Sequence, residues 1–75
     1  MARRYIRVIP KETERSLNDI GETVAELIDA NDRVSQIQPP TKHPRGGYSV
    51  FLDFDDAQIE PVLNYLRQNG WLPCI

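Results

Sequence analysis

The residues that could do chemistry are few and scattered. His43 stands in the run KHPRGG with Lys42 and Arg45 beside it, Cys74 lies far downstream, and Asp53, Asp55 and Asp56 cluster in FLDFDD. A thiol nucleophile with an imidazole base would need the fold to bring Cys74 to His43. A lone cysteine is more often a small packed hydrophobe. One His and one Cys do not make the spaced ligand set of the usual metal site. The three aspartates could bind a cation, yet Asp55 and Asp56 stand where a helix N-terminus favours carboxylates. No glycine pattern of the dinucleotide or P-loop type occurs. The expectation is a protein that is not an enzyme, with no metal and no cofactor.

The remaining candidate is the stretch PPTKHPRGG, residues 39–47. Its prolines stiffen it and its glycines permit a turn into the strand that follows, so a long connection between strands accounts for it. Its bases Lys42, His43 and Arg45 could also form an arm that contacts an acidic partner or phosphates.

The elements that must carry these residues follow from periodicity. Residues 4–9 alternate, with Ile6 and Val8 on one face and Tyr5, Arg7 and Ile9 on the other, and Pro10 ends the strand. Residues 13–30 predict a helix whose apolar stripe is Leu17, Ile20, Val24, Leu27 and Ile28. Thr13 or Ser16 can cap it, and Ser16 with Asp19 has capping-box spacing. Gly21 inside that helix implies close approach to the sheet or the other helix. A weaker strand over RVSQIQ has Val34 and Ile37 out of phase, which suggests a bulge, and Pro39 with Pro40 should stop it. YSVFLDF alternates most cleanly, with Tyr48, Val50, Leu52 and Phe54 inward and Ser49, Phe51 and Asp53 outward. Ile59, Val62, Leu63 and Leu66 form a second helical stripe, with Pro61 in its first turn. Asn69-Gly70 supplies the C-cap that lets Trp71 fold back on Leu66. Residues 70–75 could add an edge strand that tolerates Pro73.

This order, strand, helix, strand, strand, helix and a further strand, predicts a single α+β domain over residues 1–75. With right-handed crossovers it is a small ferredoxin-like sandwich, an antiparallel sheet of three or four strands with two helices on one face.

Composition narrows the class further. The chain has 75 residues, 40% of them hydrophobic and 27% charged, which excludes disordered and collagenous classes and limits the core to a small one. No apolar run approaches the length of a membrane span, so no membrane role is expected, and the unpaired cysteine fits a reducing, cytoplasmic compartment. The net charge of −2 is unevenly distributed. Arg3, Arg4, Arg7 and Lys11 open the chain with no acid among them, and Arg33, Lys42 and Arg45 serve the second strand and the loop. Acids dominate the two helical segments. Solvated helix faces explain this segregation unless the basic segments meet in space.

DRVSQIQPP followed by GGYSVFLDFDD resembles the second and third strands of ACT regulatory domains. That resemblance implies a ferredoxin-like module that dimerises and binds amino acids. FLDF at 51–54 is also similar to the aromatic-rich third strand of the RNA-recognition motif, which implies base stacking on an outward Phe51. In that comparison Arg7 replaces the outward aromatic of the first strand.

The functional expectation is a regulatory or interaction module. It binds another protein, or itself as a dimer, through an open sheet face or its edges, with Tyr5, Arg7, Ile9 and Phe51 on the face and Lys42, His43 and Arg45 in the loop. Amino-acid sensing and single-stranded nucleic-acid binding are the alternatives.

Overall fold

Burial along the first strand follows the alternation of its sequence: Ile6 and Val8 are inside, while Tyr5 is exposed. The computed structural model describes residues 2–12 and 14–74, so the candidate cap Thr13 and the terminal Ile75 lie outside the described residues. Strand β1 (Ala2–Pro10) leads to helix α1 (Leu17–Ala30), strand β2 (Ser35–Lys42) and strand β3 (Tyr48–Phe54). A single 3₁₀ turn (Asp56–Gln58), helix α2 (Ile59–Gln68) and strand β4 (Trp71–Cys74) complete the order.

The four strands form one sheet in the order β2-β3-β1-β4, and every neighbouring pair is antiparallel. Each helix therefore crosses over a strand that belongs to the other half of the chain. The arrangement is α+β and compatible with the ferredoxin-like plan. Both helices lie on one face, because their buried stripes join the inward residues of the strands in a single core. Ile20, Val24 and Leu27 of α1 meet Val62, Leu63 and Leu66 of α2 over Ile6, Val8, Val50, Leu52, Phe54 and Trp71. Burying a side chain such as Leu52 contributes about 1.5–3 kcal/mol, so this layer carries most of the stability.

Caps set the helix limits. Ser16 and Asp19 form the expected capping box, with Ser16 N–H donating to Asp19 Oδ2 at 2.7 Å. At the other end Asn31 N–H donates to the Leu27 carbonyl, and its side-chain amide reaches Gln58 Oε1 at 2.8 Å, which ties α1 to the lead-in of α2. Gly70 has φ of 89°, the left-handed turn expected before Trp71.

Four local expectations need correction. Pro39 and Pro40 do not stop β2, which continues to Lys42; β2 is an edge strand, and its pairing skips both prolines in a register shift between Gln38 and Thr41. The connection shrinks accordingly to His43–Gly47. Gly21 approaches nothing, since a Cβ there would meet no atom within 4 Å. Asp55 and Asp56 do not cap α2, whose first turn has no side-chain cap, and Asp56 instead pairs with Arg4.

Candidate functional site

The helices cover one face of the sheet and leave the other open. Its central row is aromatic: Tyr5 on β1 pairs in register with Phe51 on β3. The rings meet edge to face, with centroids 5.4 Å apart and planes inclined by 60°. Tyr5 is 54% exposed and shields Phe51, which is half-buried. The Tyr5 hydroxyl lies 3.1 Å from Ser49 Oγ, so Ser49 is buried despite its outward phase. Tyr5 occupies the outward position beside Phe51, and Arg7 stands one pair along, opposite Ser49. Two rows along from Tyr5, beyond Arg7, Ile9 pairs with Leu72 of β4, and Leu72 is 46% exposed.

The hairpin His43–Gly47 is drawn onto this face by Arg7. Arg7 Nε donates to the Gly46 carbonyl at 3.0 Å, and its terminal nitrogen donates to the Arg45 carbonyl at 2.8 Å. Glycines allow the approach. Gly47 has φ of 75°, and a Cβ on it would strike the Val8 carbonyl oxygen and crowd Ile9. The turn closes with Gly46 N–H on the His43 carbonyl at 3.0 Å, with Pro44 inside it. His43 Nδ1 accepts the Arg45 N–H at 3.0 Å, and its ring lies 6.3 Å from that of Tyr5.

Tyr5, Arg7, Phe51 and His43 thus form one connected group, with Ile9 beside Gly47. Lys42 and Arg45 flank the same hairpin. Neither of these two side chains has a hydrogen-bond or ion-pair partner among the described residues. The basic segments meet only in part: Arg7 joins the hairpin, whereas Arg3 and Arg4 lie at the far end of β1, opposite Asp53 and Leu52. Asp53 shares the open face, and its Oδ1 is buried without a hydrogen-bond partner among the described residues.

Sequence reasoning missed Arg15 and Leu72. Arg15 joins the start of α1 to both the end of α2 and β3. Its guanidinium lies 4.3 Å from the Trp71 ring centroid and donates to the Asn69 carbonyl at 2.6 Å, while its own carbonyl accepts the Tyr48 hydroxyl at 2.6 Å. No local pattern marks such a residue. Leu72 was recoverable, because β4 continues the alternation in which Trp71 points inward.

The Cys74 thiol contacts the Leu72 carbonyl at 3.8 Å. Among the described residues no group of His, Cys, Asp and Glu side chains could hold a metal ion, and no helix is long and apolar enough to cross a membrane. No family model, curated protein or solved structure matches this chain. The fold and this aromatic, basic-rimmed sheet face define the class, a small α+β domain with one uncovered face.

Proposed function

We propose that this protein is a non-enzymatic interaction module that binds another protein, in the simplest case a second copy of itself, through its open sheet face. The observation that carries the reading is the exposed aromatic row Tyr5–Phe51, with Ile9 and Leu72 two rows along beyond Arg7, on the face that neither helix covers. The face is a better contact than the edges. Pro39 and Pro40 blunt β2, and β4 is only four residues long with Pro73, which has no N–H, among them. Sedimentation velocity over a concentration series tests this, with Phe51→Asp alongside. Dimerisation that the substitution abolishes supports it. A strict monomer at millimolar concentration, with no partner protein lost on Phe51→Asp, overturns it.

A second reading, single-stranded nucleic-acid binding, draws support from Tyr5 and Phe51 side by side on the two central strands with a basic hairpin above them. It requires salt-sensitive binding of an oligonucleotide that weakens on Phe51→Ala and Arg7→Ala. Absence of binding at low salt removes it. Amino-acid sensing of the ACT kind rests on sequence pattern alone and predicts that some amino acid raises the melting temperature.

A further inference from the structure

Three cross-strand pairs along the middle of the open face each join unlike residues: Arg3 with Asp53, Tyr5 with Phe51, and Arg7 with Ser49. All six share the outward phase, since side chains alternate between the two faces of a strand. Arg3 and Asp53 are opposite each other in register, yet no ion pair joins them among the described residues. Arg3 is exposed, with no hydrogen-bond or ion-pair partner among the described residues, and Asp53 Oδ1 is buried without one. A carboxylate oxygen withdrawn from water without a donor is costly, and a cation set over it offsets that cost.

Such a face complements a copy of itself in one orientation. A two-fold axis parallel to the strands, running between β1 and β3, sets each β1 residue over the β3 member of its own pair in the second copy. Arg3 then stands over Asp53 of the second copy and Asp53 over its Arg3, so four charges alternate in sign about the axis. Tyr5 stands over the second Phe51, and Arg7 over the second Ser49. Sheets packed face to face keep their strands close to aligned, as this axis requires. A two-fold axis across the strands, through Tyr5 and Phe51, sets Arg3 over Arg7 instead, and like charges opposed across an interface are disfavoured. Arg7 holds the hairpin at its own end of the row, so the contact centres on the half of the face from Arg3 to Tyr5.

We propose that the occupant of the open face is a second copy of this chain, docked about a two-fold axis parallel to β1 and β3, with Arg3 of each copy paired to Asp53 of the other. The contact is isologous, so every favourable pair occurs twice. This arrangement rests on the interaction reading above and adds to it the partner, its orientation and the charges that select it.

Sedimentation equilibrium of the whole chain with charge-reversed variants tests it. The wild type should dimerise, and Arg3→Glu and Asp53→Lys should each weaken the dimer by at least about tenfold, because each sets like charges together at both pairs. An equimolar mixture of the two variants should recover dimers, since glutamate then meets lysine at one pair and Asp53 meets Arg3 at the other. Thermal unfolding of each variant alone checks its fold. Should Asp53→Lys fail to fold, Asp53→Asn replaces it: it weakens the homodimer by losing the attraction, and its mixture with Arg3→Glu associates better than either variant alone. A wild-type monomer overturns the proposal and leaves the face to a different protein. A dimer that Phe51→Asp abolishes and Arg3→Glu leaves unchanged overturns it while the face reading stands. A dimer that Arg3→Glu tightens also overturns it, and assigns the axis across the strands.

Discussion

Tyr5 and Phe51 are partners across the two central strands, and their rings touch edge to face at 5.4 Å on the side of the sheet that the helices leave bare. A pair in this geometry contributes about 0.5–1.5 kcal/mol beyond its buried area. A double-mutant cycle with Tyr5→Ala and Phe51→Ala, read by urea denaturation, should therefore return a coupling in that range. The Tyr5→Phe variant isolates the contact between the phenol and Ser49 and should cost about 1 kcal/mol. A coupling of zero would mean that the rings do not hold each other in the free protein.

Two glycines should respond to alanine with opposite signs. Gly21 lies within α1 with nothing near its missing side chain, so Gly21→Ala should stabilise the protein by about 1 kcal/mol through helix propensity. Gly47 combines positive φ with the Val8 carbonyl in the space a Cβ would take. Gly47→Ala should cost about 2 kcal/mol or more and loosen the hairpin. Thermal unfolding of the two variants checks the contrast directly. A destabilised Gly21→Ala would show that the helix needs the gap.

The strands and stripes were largely legible in the sequence because burial imposes its period on them: Ile6 and Val8, Val50, Leu52 and Phe54 and most of both helix faces follow from spacing, whereas Leu17, expected in the α1 stripe, is exposed and Thr23 is buried in that helix. The capping box was legible for the same local reason, since Ser16 and Asp19 need no distant partner. What escaped depends on topology. Pro39 and Pro40 read as a strand end until β2 is known to be an edge strand, where pairing can skip them. Gly21 read as a packing residue because glycine identity reports a missing side chain and not what fills the space. Arg7 and the hairpin were both candidates for binding. Their direct contact, and the part played by Arg15, required knowing that β3 lies beside β1 and that α2 ends above α1's start.

Trp71 is fully buried, and its indole N–H donates to Thr23 Oγ1 at 3.1 Å, while the same hydroxyl donates to the Asp19 carbonyl at 3.0 Å. Thr23→Val keeps the shape and leaves the indole N–H unpaired in the core, at a cost of about 1–3 kcal/mol. Thr23→Ser keeps the hydroxyl and loses one methyl group, about 1 kcal/mol. Urea denaturation followed by the fluorescence of this tryptophan, the chain's one indole, ranks the variants. Equal stability of Thr23→Val and the wild type would show that the bond contributes nothing net.

Acid should weaken the protein partly through the first turn of α1. The Ser16 backbone N–H and hydroxyl hold the Asp19 carboxyl below the usual aspartate range; partial burial opposes this, and the charge of Arg15 adds to it. The folded pKa is thus depressed relative to the unfolded one, about 3.9 for a free aspartate. Ionised Asp19 then contributes stability that is fully present well above about pH 4 and is lost as pH falls through the folded value. Asp19→Asn removes the titration while retaining a side-chain acceptor for the box. Urea midpoints measured from pH 6 down to pH 2 should fall less steeply in this variant than in the wild type, and the two curves should converge at the acid end. The other carboxylates titrate in both proteins and cancel in the difference. Parallel curves would mean that Ser16 and Asp19 do not hold each other in solution, and that α1 starts without its capping box.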